Sequence, residues 1–135
     1  ETGVARGGSL IFFASLIICP VAVEADPHMD YLLHCSGCHL ADGSGLPPAI
    51  PDLRENLGFI ISKDKGRGYL VRVPGSSSAP LDNLELAELI NWLLEAFNAE
   101  TLPNNFIPIT SDEVRESRKN VLMDPLKFRA SLLRD

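Results

Sequence analysis

Two cysteines and a histidine stand together in the segment Cys35-Ser36-Gly37-Cys38-His39. With this spacing, one helical turn presents both thiols on one side, and the next residue aims its imidazole at the same place. C-x-x-C-H is the attachment signature of c-type haem, in which two thiols add to the vinyl groups at one porphyrin edge and the histidine binds the iron. The motif therefore predicts one covalent haem c, with Cys35 and Cys38 as tethers and His39 as the metal ligand.

Other uses of this motif fit the sequence less well. A structural zinc site needs four ligands, and no second Cys or His pair follows, although His28 and His34 are candidates in a cramped geometry. A thioredoxin-like dithiol needs alternating strands and helices around it, which the sequence does not show. A plain disulfide between Cys35 and Cys38 leaves His39 without a role.

The charge balance narrows the class of partner. Among 135 residues, 12 are Lys or Arg and 18 are Asp or Glu, so the formal net charge is -6. This charge disfavours a nucleic-acid binder that relies on a basic footprint, and we expect no nucleic-acid partner. Hydrophobic residues make up 45% of the chain, which is enough for the core of one modest domain.

An apolar run over residues 10–23, LIFFASLIICPVAV, precedes the motif. It is short for a membrane span and suits the hydrophobic region of a signal peptide, with Arg6 before it and small residues up to Ala25. We expect residues 1–25 to be a signal peptide. The signal peptide would direct the chain to the periplasm, and its removal would discard Cys19 and leave no other membrane attachment. A buried hydrophobic helix is the alternative.

The stretch CSGCHLADGSGLPPAIPDL, residues 35–53, is similar to the haem loop of class I, mono-haem c-type cytochromes. The resemblance extends over residues 26–97, about half of the chain. It implies an all-α fold around one covalently attached haem, whose iron is bound by His39. Gly43 and Gly45 suit the tight turns that carry backbone past the porphyrin edge.

The resemblance also gives roles to residues around the motif. Pro51 stands where the family's proline offers its carbonyl oxygen to Nδ1–H of the ligand histidine, which orients the ring and strengthens Nε2 as a donor to iron. Stiffening of the loop is the alternative role of Pro51. Four basic residues near this loop are candidates for pairing with the propionates or the partner: Arg54, Lys63, Lys65 and Arg67.

Helix signals agree with this fold. Asp26 and Pro27 supply an N-cap and a proline at the first helical position. A second helix is predicted over residues 66–73, ended by the Pro-Gly pair that follows.

The strongest helix is predicted over residues 82–98. Asp82 and Glu85 form a capping box at its start, and apolar residues follow with helical spacing. In the family, this last helix crosses the first with an aromatic residue at the contact. Trp92 resembles that residue, with a generic core aromatic as the alternative.

One family feature is missing. The family usually places a methionine, the sixth iron ligand, on a loop just before the last helix. Here the matching residues 73–81 read VPGSSSAPL, and Ala79 stands in that place. We expect an open or weakly ligated sixth position. Met123 from the C-terminal segment, or a distant group such as His28, a lysine or a partner chain, are the alternatives. Serines 76–78 predict a polar, mobile loop.

Residues 99–135 have no counterpart in a minimal family member. Thr110 and Glu113 form a capping box for one short helix, and Asp124 with Pro125 caps another. We expect a linker and two short helices that pack back on a haem domain of residues 26–98.

The expected function is periplasmic electron transfer. Single electrons would pass to or from a redox partner, a dehydrogenase or an oxidase, with the cofactor doing the chemistry and no catalytic residue. We expect a monomer or a subunit of a complex. A peroxidase needs a distal acid–base group, and the histidines cluster at 28, 34 and 39, so we expect no enzyme. The alternatives are a haem protein whose open sixth position binds a small ligand and a haem subunit of a dehydrogenase complex.

Overall fold

The computed structural model describes Gly3 and residues 26–134 of the chain. The predicted signal peptide therefore lies outside the described residues, apart from Gly3, and so does Cys19. The regular structure in residues 26–134 is helical, with an isolated antiparallel bridge between Leu46 and Ile50 as the one extended pairing there. The prediction of an all-α fold is confirmed. The helices are α1 (Pro27–His34), α2 (Ser36–His39), α3 (Leu57–Ile61), α4 (Tyr69–Arg72), α5 (Pro74–Ser77), α6 (Asn83–Asn98), α7 (Ser111–Ser117) and α8 (Pro125–Arg134).

The predicted helix starts are present as side-chain caps. Asp26 accepts a hydrogen bond of 3.0 Å from the N–H of His28, with Pro27 at the first helical position. At the start of α6, Asp82 Oδ1 accepts from the N–H of Glu85 at 2.9 Å, and Glu85 Oε2 accepts from the N–H of Asp82 at 2.7 Å. The same reciprocal capping box begins α7. These bonds satisfy donors that the helix itself leaves unpaired, so the sequence determines where the helices begin.

Helices α1 and α6 pack against each other through aromatic side chains. The ring of Tyr31, fully buried, lies 5.6 Å from that of Trp92 and 5.4 Å from that of Phe97, centroid to centroid. Trp92 therefore occupies the contact between the first and last helices of the haem domain, as the resemblance implied. Edge-on and tilted aromatic pairs of this kind contribute about 0.5–1.5 kcal/mol each beyond their buried area.

The middle of the chain differs from the sequence prediction. The helix predicted over residues 66–73 is confined to α4, and the Pro-Gly pair expected to end it begins α5 instead. The cause is Val73, which is extended because it precedes Pro74, and a proline is favourable at the first position of a new helix. A further helix, α3, was not predicted, since its five residues are too few to show a period.

The C-terminal segment packs against the rest of the fold. α7 contacts α4 and α6, and α8 contacts α3. Val114, Leu122 and Leu132 are buried in the same core as α6, and each fully buried aliphatic side chain of this size contributes about 1.5–3 kcal/mol. The division of the chain at residues 25 and 98 stays a prediction.

Polar contacts also fasten this segment. The side chain of Asn91 on α6 exchanges two hydrogen bonds with the backbone of Ile109, at 2.8 and 2.9 Å. Arg118 donates to the carbonyl oxygen of Leu81 at 2.8 Å and to Asn83 Oδ1 at 2.8 Å, so it holds the turn that leads into α6.

Candidate functional site: a cavity at the C-x-x-C-H motif

The C-x-x-C-H segment forms the junction between α1 and α2. The N–H of Cys35 donates to the carbonyl oxygen of Tyr31 at 2.9 Å, and the N–H of His39 donates to the carbonyl oxygen of Cys35 at 3.0 Å. This short helical turn brings both thiols and the imidazole to the wall of one cavity. Cys35 is half-buried, Cys38 is exposed, and both thiols are free.

His39 makes the contact that the resemblance assigned to Pro51. Its Nδ1 lies 3.1 Å from the carbonyl oxygen of Pro51. With Nδ1–H donating to that oxygen, the lone pair is on Nε2, which is then available to a metal. Burial is the main cause that lowers the pKa of His39, and the neutral imidazole that this favours is the form that binds metal.

Gly45 makes this approach possible. Its φ is +62°, a left-handed conformation, and its N–H donates to the carbonyl oxygen of His39 at 3.0 Å. A Cβ at this position would lie 2.7 Å from the carbonyl oxygens of both Ile50 and Pro51. A side chain here would therefore displace the backbone that faces His39.

Tyr31 on α1 forms a hydrogen bond with the backbone that directly follows the motif. Its buried hydroxyl donates a 2.6 Å hydrogen bond to the carbonyl oxygen of Leu40, directly after His39. Burial is the main cause that raises the pKa of Tyr31 to about 12, so the hydroxyl stays protonated and remains a donor. Leu40 has a φ of +59°, which is unusual for a residue with a side chain, and the bond helps to hold this turn.

The thiol of Cys35 does not resemble that of a redox dithiol. Burial, followed by the charge of Asp30, raises the pKa of Cys35 to about 11. Reactive cysteines in Cys-x-x-Cys redox motifs have depressed pKa values, because the thiolate is the nucleophile. The environment of Cys35 therefore disfavours the thioredoxin-like alternative.

The cavity at the motif has a volume of about 450 Å³ and lies between the haem-loop segment, α4, α6 and the start of α8. Its wall is mostly apolar, with a few convergent polar groups, as is typical of cofactor sites. The apolar lining comes from Ile50, Leu53, Leu57, Tyr69, Leu70, Val73, Ile90 and Leu93. Two free thiols and an oriented imidazole face this space together, so the residues fit a c-type haem.

The C-terminal segment forms part of the wall, although the sequence predicted a role at the site for only one of its residues, Met123, as an alternative sixth ligand. Met123, Leu126 and Arg129 all line the cavity. Arg129 is the cation of this wall, whereas the four basic residues proposed from the sequence do not line it. Arg54 instead pairs with Asp52 at 2.6 Å, and two of the others are engaged elsewhere: Arg67 with Glu113 and Lys63 with the ring of Phe59. No periodicity signals such a contact, because it depends on how the tail folds back.

The segment that replaces the usual methionine loop lies beside this wall. Gly75 and Ser76 line the cavity, but Ala79 does not. The loop predicted to be polar contains the short helix α5, in which the hydroxyls of Ser77 and Ser78 bond to the carbonyl oxygen of Pro74 at 3.2 and 2.7 Å. These two serines are therefore engaged with their own backbone.

A helical fold with two thiols and an imidazole on one cavity wall is the arrangement of a c-type cytochrome, and similarity to two curated relatives shows that the chain belongs to that family. Two curated relatives, both named cytochrome c-552, come from Thermus thermophilus. Each is 31% identical to this chain over an aligned length of 106 residues, and the match covers 65% of this chain and 81% and 72% of the relatives. No protein-family model matches the chain.

Membership of this family confirms three predictions. The protein is an electron carrier, it is not an enzyme, and its cofactor is covalently attached haem c with iron. In the part of the chain that the structure describes, none of the helices has the length and apolar character needed to cross a bilayer.

Proposed function

We propose that Cys35 and Cys38 form the two thioethers to haem c and that His39 binds its iron, with Pro51 orienting the imidazole. The observation that carries this proposal is the 3.1 Å contact between His39 Nδ1 and the Pro51 carbonyl oxygen, at a cavity that both thiols share. This contact would prepare His39 to bind a metal through Nε2, because it selects the tautomer with the proton on Nδ1 and fixes the plane of the imidazole ring.

When bound, the haem supplies one-electron chemistry, as its iron alternates between the ferrous and ferric states. The chain's own residues hold and insulate it. Leu57, Ile90 and Leu93 are buried side chains that exclude water from the cavity. Cys38 is exposed, so its thioether would place one haem edge at the surface, where a partner can approach.

We further propose that the protein works in the periplasm as a carrier for a redox partner such as a dehydrogenase or an oxidase. The apolar run at residues 10–23 supports export, and C-x-x-C-H haem is attached outside the cytoplasmic membrane in bacteria. Contacts between redox partners are typically small and transient, which suits one domain of this size.

A redox titration of the exported haem protein, followed in the visible region, tests this function. We expect reversible oxidation and reduction with the slope of a single electron, and no sustained turnover of peroxide. A titration that needs two electrons, or steady peroxide consumption, would contradict the carrier role. Fractionation of the producing cells then tests the compartment, since cytoplasmic accumulation of the haem form would overturn export.

A further inference from the structure

The chain lacks a methionine where its family usually has one, yet a methionine reaches the same cavity by another path. Residues 73–81 contain no sulfur or imidazole, and the cavity wall formed there is Val73, Gly75 and Ser76. Met123, from the segment between α7 and α8, lines the cavity beside this wall. A role for Met123 toward the cofactor rests on the proposed function, since it concerns the iron that His39 would bind.

Hydrogen bonds hold the backbone around Met123 against the end of α4, next to that wall. The N–H of Leu122 donates to the carbonyl oxygen of Arg72 at 2.9 Å, and Arg72 Nε donates to the carbonyl oxygen of Asn120 at 2.7 Å. Leu122 itself is buried in the core. On the other side, Asp124 Oδ1 accepts from the N–H of Lys127 at 2.9 Å at the start of α8. Met123 therefore lies between two anchored neighbours, at the C-terminal end of α4.

The side chain of Met123 is left uncovered by the protein. It is 98% exposed, the highest value among the exposed large hydrophobic residues of the described chain, although it lines a cavity. A methionine with a packing role would be in contact with neighbouring side chains. The other methionine, Met29, is 49% exposed on α1 and does not line the cavity. Met123 therefore lines the cavity without packing against the protein, and its thioether is free to contact a group bound there.

We propose that the thioether sulfur of Met123 is the sixth ligand of the haem iron, replacing the loop methionine that this chain lacks. A thioether is a soft, neutral ligand that suits low-spin haem iron and raises its reduction potential. Outside the motif, the wall also contains one imidazole and two carboxylates, from His34, Asp52 and Asp124. Asp52 is paired with Arg54, Asp124 caps α8, and His34 directly precedes the first tether.

The ferric spectrum of the complete haem protein tests this assignment. We expect a low-spin spectrum with the methionine-to-iron charge-transfer band. In Met123→Ala, the band should be lost, the spectrum should become high-spin, and carbon monoxide should bind the ferrous form faster. Met29→Ala is the matched control and should retain the band. Because Met123 makes almost no contact with the protein, its truncation removes no packing, and a far-ultraviolet circular dichroism spectrum verifies the fold of each variant.

Three results would overturn the assignment. A high-spin spectrum in the unmodified protein would indicate an open sixth position. Retention of the band in Met123→Ala with its loss in Met29→Ala would make Met29 the ligand. A low-spin spectrum without the band, abolished by His34→Ala, would indicate histidine ligation. Haem content, measured as the pyridine complex, distinguishes these three results from failure of the proposed function. If the proposed function is wrong, neither the unmodified protein nor any variant will carry covalent haem.

Discussion

The hydroxyl of Tyr31 donates a 2.6 Å hydrogen bond to the carbonyl oxygen of Leu40. This contact connects the α1–α6 aromatic core to the end of the C-x-x-C-H segment, because Tyr31 also packs against Trp92 and Phe97. The position of the proposed iron ligand, His39, therefore depends on the buried core as well as on its own loop.

Tyr31→Phe should lower the stability of the haem protein by about 1–3 kcal/mol, because it keeps the ring and leaves the carbonyl of Leu40 without its buried donor. Thermal unfolding followed by circular dichroism measures this change. Ser62→Ala is a suitable control, since the Ser62 hydroxyl bonds to a carbonyl oxygen at a similar 2.7 Å but at an exposed site. Equal effects of the two substitutions would contradict a special role for Tyr31.

Gly45→Ala should destabilise the haem loop by about 1–3 kcal/mol, because a side chain at positive φ is strained and this one also meets two carbonyl oxygens. Gly37→Ala is the matched control within the motif itself. Nothing lies within 4 Å of a Cβ at Gly37, and that residue is helical. Chemical denaturation of both variants measures the difference, and a tolerated Gly45→Ala would refute the close approach at Pro51.

The ion pair between Arg67 and Glu113 should make stability depend on pH. Hydrogen bonds from Arg67, at 2.8 and 3.1 Å, are the main cause that lowers the pKa of Glu113. Glu113 therefore has a lower pKa in the folded protein than in the unfolded chain. Its ion pair stabilises the fold fully at pH values above the unfolded-state pKa, and this stabilisation is lost as the pH falls through the folded-state pKa.

Glu113→Gln should therefore be less stable than the unmodified protein at neutral pH, by about 0.5–1 kcal/mol for a partly exposed pair. The difference should shrink below the ordinary carboxyl pKa of 4.5. Denaturant unfolding at several pH values measures it. Glu100→Gln, at an exposed carboxylate without an ion pair in residues 26–134, should change little, and a gap for Glu113→Gln that persists in acid would contradict this account.

Arg129→Gln should lower the reduction potential by roughly 20–50 mV, since a nearby cation disfavours the more positive ferric state. Arg129 lines the cavity, whereas Lys127 on the same helix does not. Lys127→Gln therefore serves as the charge-matched control and should shift the potential less. Equal shifts in a redox titration would mean that Arg129 acts only through net charge.

Local chemistry made much of this structure predictable from the sequence. The N-cap at Asp26 and the capping box that begins α6 depend on residues two or three apart, so their signals lie within a short window. The C-x-x-C-H motif is equally local. Met123 and Arg129 reach the cavity through tertiary contacts, including the bond from Leu122 to Arg72, which no local pattern encodes.

The short helices α3 and α5 could not be predicted because their signals are too short to recognise. α3 and α5 have five and four residues, which is less than the length over which an apolar period can be recognised. Val73 shows how one residue redirects the chain, because its extended conformation before Pro74 separates α4 from α5.

Mass spectrometry of the denatured, exported protein tests the central claim most directly. Produced in cells with the cytochrome c maturation machinery, the chain should have the mass of the polypeptide plus one haem, and the added mass should map to the peptide that contains Cys35 and Cys38. Polypeptide mass alone, in colourless protein, would contradict covalent haem attachment at this motif.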